Sequence, residues 1–208
     1  MVKTAILVSG GGTNLQSIID SRLFGELPQC ELTAVISSDP QAYALQRAKN
    51  AQIPAYVVDR EVFPNHATYS TAILQMLQDL DIELVVLAGY TQPLEGAVLQ
   101  KFRHRIINTF PSLLPKYSQC DPNTLAPYEA AIRAGETVSG ATVYFVTGAE
   151  PGPVILQRQV SVLPGDTPSR LQRRITEQAE WQLLPQAIAL FCTGRLQIAG
   201  DTVTILDE

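Results

Sequence analysis

Short apolar runs, each closed by glycine, proline or small polar residues, alternate along this chain with stretches whose apolar residues recur every three or four positions. A run of four to six apolar residues between turn formers is too short for a helix. It suits a strand buried on both faces, whereas a period near 3.6 marks a helix with one face on a core. Strands are predicted over residues 4–8, 32–37, 55–58, 84–88, 106–108, 140–145 and 154–160, and helices over 14–21, 42–50, 67–79, 93–101, 126–134 and 168–191. Their alternation is the pattern of βαβ crossover units, so the expected fold is α/β: a Rossmann-like, mostly parallel twisted sheet flanked by helices.

Local signals sharpen the ends of these elements. In "DTPSRL", Thr167 is an N-cap and Pro168 takes the first helical position, while Gly194 ends the segment. Leu171, Ile175, Leu184, Ile188 and Phe191 give this last helix an apolar stripe, and Pro185 is expected to kink or break it. The alternation in "GRLQIAGDTVTILDE" predicts an edge hairpin turning at residues 199–201.

Composition narrows the function classes. The chain has 208 residues, 46% of them hydrophobic, enough for one sizeable core, and a single domain over residues 1–208 is expected. A formal net charge of -5 offers no diffuse positive field for a polyanion, which argues against nucleic-acid binding. Cys30, Cys120 and Cys192 are an odd number without metal-ligand spacing, so no metal is expected and a reducing cytoplasm fits. The first apolar run ends at Gly10, too soon for a membrane span or signal segment.

Candidate chemistry starts at "ILVSGGGTNLQSIID". Glycines between a buried strand and a helix start let backbone amides approach a ligand, and the helix amino end favours negative charge. A phosphate is the natural occupant, with the amides of Gly12, Thr13 and Asn14 and the Thr13 hydroxyl as donors and Gly11 in the same turn. The alternative is a sharp structural turn and nothing more. Leu15 stands where a dinucleotide fingerprint needs its third glycine, which disfavours an oxidoreductase, and the Walker lysine is also missing.

With "SGGGTNLQSII", "VVLAGY", "RIINTFPSLLPKY", "GATVYFV", "PGPVILQ" and "QAEWQLLP", the chain resembles the phosphoribosylglycinamide formyltransferases from about Thr4 to Leu196. The resemblance implies a half over residues 1–100 that binds the substrate phosphate, and a half over 101–208 that completes a cleft for 10-formyltetrahydrofolate. It implies glycinamide ribonucleotide as the phosphorylated small-molecule ligand, purine biosynthesis as the setting, and a monomer or homodimer. On this reading Gly11, Gly12, Thr13 and Asn14 match the phosphate loop, Glu180 the acid that holds the ribose hydroxyls, and Asn108 the catalytic amide. Leu87, Tyr90, Gln92, Leu94 and Val143 fall in the folate segments.

The family's proton-moving groups do not carry over. The loop histidine is Phe110 here, and two further histidines are Tyr128 and Tyr144. "GAEPGP" leaves only Glu150 or Pro151 near the place of the family aspartate. An imidazole near neutral pKa moves the proton of an incoming amine, and a phenyl ring does not. Two readings therefore stand: a scaffold that keeps its ligands with the reaction lost or weakened, or an active one-carbon or acyl transferase using Asn108 with Glu150, Asp121 or a tyrosine. His66 reads as a solvent-facing helix start, and His104 lies about 13 Å from Asn108 along the strand at roughly 3.3 Å per residue. The stretch "KYSQCDPNTLAP" reads as a lid over the cleft, and Cys120 within it as a plain exposed thiol.

Overall fold

A computed structural model describes residues 1–148 and 151–207. Its strands are β1 (Val2–Val8), β2 (Cys30–Ser37), β3 (Ala55–Val57), β4 (Leu84–Leu87), β5 (Ile106–Phe110), β6 (Val138–Val146) and β7 (Pro151–Ser161), with a separate hairpin of β8 (Leu196–Ala199) and β9 (Thr202–Ile205). Helices α1 (Thr13–Leu23), α2 (Ala44–Asn50), α3 (His66–Asp79), α4 (Ala97–Lys101), α5 (Ala126–Arg133), α6 (Pro168–Ile175) and α7 (Trp181–Cys192) connect or flank them.

The seven main strands form one sheet in the order β3-β2-β1-β4-β5-β6-β7. Pairings from β3 through β5 are parallel, as the buried apolar runs predict, and β5–β6 and β6–β7 are antiparallel. One apolar layer packs α1, α2 and α7 around Ile6, Val35, Val86 and Phe145, and a second packs α3 and α4 around Ala5, Ile36, Val85 and Ile106. Burial on both faces is what makes β1 and β4 read as uninterrupted apolar runs.

Two expectations need correction. The helix predicted from residue 93 begins only at Ala97, because Gly96 just before it has φ 66°, outside the helical region. The long helix predicted over residues 168–191 is interrupted, and the break is not at Pro185. A wide π turn over Thr176–Glu180 separates α6 from α7, and α7 runs unbroken through Pro185. Pro185 is the fifth residue of α7, where its missing N–H removes only a bond at the start of the segment. The Thr167 hydroxyl accepts a hydrogen bond from the Arg170 amide and caps α6 as expected. Among the described residues no helix is long and apolar enough to cross a membrane.

Candidate functional site

The sheet order places a reversal between β1 and β4: from β1 the chain winds outward to β2 and β3, then returns on the other side at β4. In such sheets a crevice opens beyond the carboxyl ends of the two strands at the reversal. The glycine loop follows β1 and Gly89–Tyr90 follows β4, so both reach this crevice. Ser9 joins them, its hydroxyl accepting the Thr91 amide at 3.0 Å and meeting the Ser38 hydroxyl at 2.7 Å.

A cleft of 640 Å³ occupies the position and brings together residues far apart in sequence: Asn14, Tyr90, Asn108, Tyr128, Tyr144 and Glu180 all line it. Leu87, Gln92 and Leu94 line the same cleft. Val143 does not: it is fully buried in the layer beneath β6. Gly11, Gly12 and Thr13 form the turn into α1 beside Asn14, with Gly12 in the left-handed region at φ 71° as the residue before the helix. A Cβ on Gly12 would stand 2.7 Å from the Ala44 Cβ, so glycine is needed there on both grounds.

At one end of the cleft Glu180 is 7% exposed. Its carboxylate accepts the Asn14 amide at 3.2 Å and the Thr176 hydroxyl at 3.3 Å, both on the same oxygen. Burial pushes its pKa up, and the two hydrogen bonds only partly oppose this. Asn14, itself 8% exposed, keeps its amide oxygen without a donor among the described residues. A buried orphan acceptor next to a buried carboxylate is a pair suited to receive hydroxyl or amine donors from a ligand. The π turn is what carries Glu180 inward, and such turns recur at functional sites.

In the middle, Asn108 donates its amide to the Tyr144 hydroxyl at 3.0 Å across the antiparallel β5–β6 pair, while its amide oxygen accepts the Thr109 amide at 2.9 Å. Burial raises the pKa of Tyr144, with the Asn108 hydrogen bond acting the other way. Burial, and then the Glu180 charge, raise that of Tyr128. Both phenols are therefore protonated at neutral pH, able to donate a hydrogen bond and unable to act as bases.

Phe110 is 3% exposed and does not line the cleft. No imidazole lines it among the described residues: His66 opens α3 and accepts from Arg60, and the His104 ring lies 6.1 Å from that of Phe145. Glu150 lies outside the described residues.

The segment after β5 is held to the scaffold by Thr142, whose hydroxyl donates to the Ser112 carbonyl at 2.6 Å and accepts the Leu114 amide at 3.0 Å. Lys116 and Tyr117 both reach Glu136. Beyond that anchor Pro122 and Asn123 line the cleft, Asn123 in a turn where its amide bonds the Asp121 carboxylate. Thr176 and Gln172 were not singled out from the sequence. Their spacing of four and eight residues before Glu180 was the available signal, since such residues share one helical face.

Comparison with known proteins places this architecture. A family model described as formyl transferase matches residues 2–188. Over 208 residues the chain is 42% identical to the phosphoribosylglycinamide formyltransferase of Haemophilus influenzae, covering 100% of this chain and 94% of that protein. It is 34% identical over 197 residues to the human trifunctional purine biosynthetic protein adenosine-3, which is 94% of this chain but 19% of that protein. Among solved structures, glycinamide ribonucleotide transformylase 1 from Symbiobacterium toebii superposes with a TM-score of 0.92 at 41% identity, covering 100% of this chain and 95% of that one.

Proposed function

Since this chain belongs to the phosphoribosylglycinamide formyltransferase family, we propose that its cleft binds glycinamide ribonucleotide and 10-formyltetrahydrofolate and that the transfer step is severely slowed. The carrying observation is the lining of the cleft. It holds a buried carboxylate and an orphan amide beside a glycine loop, and a carboxamide at its centre, without an imidazole among the described residues. The phosphate sits on the amides of Gly12, Thr13 and Asn14, the ribose hydroxyls on Glu180, and the folate against Leu87, Tyr90, Gln92 and Leu94.

In the family reaction the substrate amine attacks the formyl carbon, a tetrahedral oxyanion forms, and the bond to the folate nitrogen breaks as the amine loses a proton. Asn108 and the protonated Tyr144 hydroxyl are the donors this chain offers to the oxyanion. The described lining residues offer no imidazole for the amine proton, and their carboxylates are Glu95 and Glu180, the latter engaged with Asn14 and Thr176. Loss of a positioned general base costs about 10²–10⁴ in rate.

Titration calorimetry with each ligand, followed by a formyl-transfer assay on the parent and on Tyr144→His, a position that lines the cleft beside Asn108, tests the proposal. Both ligands bind, the parent turns over far below the ordinary enzymatic range of about 1–10³ s⁻¹, and the histidine variant is faster. A parent rate within that range refutes the impairment, and failure to bind either ligand refutes the site.

A further inference from the structure

Three successive glycine carbonyls are each held by a separate donor. Gly10 O accepts the Ala44 amide at 3.0 Å, Gly11 O accepts Arg47 Nε at 2.8 Å, and Gly12 O accepts the Gln16 amide at 2.9 Å. In a planar trans peptide the carbonyl and the following N–H point opposite ways. Turning the Gly10 and Gly11 carbonyls toward α2 therefore turns the Gly11 and Gly12 N–H groups away from it. Neither N–H meets an acceptor among the described residues. The space off Gly10 and Gly11 is open, since a Cβ built there meets nothing within 4 Å. Consecutive outward N–H groups at a helix start form an anion cradle. The nine-tenths buried Asn14, in the same turn, adds an amide oxygen that awaits a donor.

Of the donors that set this geometry, two are backbone and one is a side chain. Arg47 bonds Gly11 O through Nε and Gln16 Oε1 through Nη1 at 2.9 Å, so one rigid fork joins the loop to the first turn of α1. Its guanidinium lies 5.1 Å from the centre of the Tyr43 ring, a stacking contact that fixes its plane.

We propose that Arg47 is the positioning residue of the phosphate loop: without touching the ligand, it locks the Gly11–Gly12 peptide with its N–H outward. This rests on the reading that the loop receives a phosphoryl group, and it adds a residue that neither contacts the cleft nor belongs to the loop. A lysine at this position keeps the charge but has no planar fork to bridge two acceptors.

The test is calorimetric titration of the parent, Arg47→Met and Arg47→Lys with inorganic phosphate, with glycinamide ribonucleotide and with the same riboside lacking its phosphate, alongside melting curves. In Arg47→Met, affinity for inorganic phosphate and for the ribonucleotide falls by about tenfold, the scale of one ordered donor to a charged group, and riboside affinity is unchanged. Arg47→Lys falls part of the way. Should Arg47→Met fail to fold, the folded lysine variant decides on the same two readouts.

Unchanged phosphate affinity in either variant overturns the pinning role, and so does an equal loss for the riboside, which marks general loosening. A parent that binds no phosphate overturns it as well. A parent whose phosphate binding depends on Arg47, yet which ignores the ribonucleotide, leaves the role standing and sinks the functional reading instead.

Discussion

Replacing Glu180 by glutamine separates the structural work of this buried acid from its work on a ligand. One carboxylate oxygen accepts from both Asn14 and Thr176, and the other meets no donor among the described residues. Glutamine keeps an oxygen for the internal pair and presents an amide NH₂ where the free oxygen stood, so the network inside the protein survives. The cleft loses a charged acceptor. Hydrogen bonds to a charged group contribute about 1.5–3 kcal/mol, so glycinamide ribonucleotide should bind about 10- to 150-fold more weakly. Inorganic phosphate, held at the glycine turn, should bind as before.

Stability should respond in the opposite sense. Burial raises the folded-state pKa above the ordinary glutamate value of 4.5, so the folded protein holds this proton more tightly than the unfolded chain does. Stability contributed at low pH is therefore lost as pH rises from about the unfolded value through the raised folded one. The glutamine variant carries no such loss. Its melting temperature should match the parent's in acid and exceed it at neutral pH. Calorimetric titration and melts across that range check both statements. Unchanged ribonucleotide affinity, or a parallel drop in phosphate affinity, refutes the assignment of Glu180 to the sugar.

Two further substitutions probe the scaffold. Gly12→Ala should cost about 1–2 kcal/mol for the left-handed backbone and more for displacing Ala44, and it should weaken phosphate binding. Gly25→Ala, at φ 78° with open space around it, should cost only the conformational part and leave phosphate alone; urea melts and phosphate titration of the pair distinguish them. Asp166, paired with Arg174 at 2.5 and 2.8 Å and bonded by the Leu163 amide, has a pKa lowered from 3.8 to about 2, chiefly by the arginine. Its contribution is present above the unfolded value and lost as pH falls from about 4 toward 2. Asp166→Asn should cost about 1–3 kcal/mol at neutral pH and should flatten acid unfolding through that window.

The sequence reveals the parallel part of the sheet because strands buried on both faces write themselves as unbroken apolar runs: β1, β2 and β4 each differ from expectation by a few end residues at most. The antiparallel edge was hidden. A helix lies between β5 and β6, which looks like another crossover unit, and only the short connection from Val146 to Pro151 signals that β6 and β7 turn back on each other. Thr167 declared the start of α6 through its own side chain, while the π turn at Thr176–Glu180 has no composition that marks it, since every residue there is compatible with an ordinary helix. At the site, the convergence of Asn14, Asn108 and Glu180 came from motif likeness, and no local pattern predicts it. The hydrogen bond from Asn108 to Tyr144 depends on the β5–β6 register, which one-dimensional periodicity does not encode.

The π turn also constrains how this chain can change length. Each residue added to or removed from a helix rotates everything beyond it by about 100° at 3.6 residues per turn. Leu171 and Ile175 before the turn and Leu184 and Ile188 after it face one common core, with Glu180 between them aimed at the cleft. Leu184 follows Leu171 by 13 residues (184 − 171), a separation that would set the two on opposite sides of a regular helix, and the wide turn absorbs the surplus residue so that both face one core. Excising one residue from Thr176–Glu180 would make the backbone regular and keep the greasy stripe aligned, but the bulge that turns the acid inward would be gone. A codon lost there therefore strikes the ligand pocket while sparing the protein's interior, whereas one lost from the regular turns of α6 or α7 disturbs the interior as well.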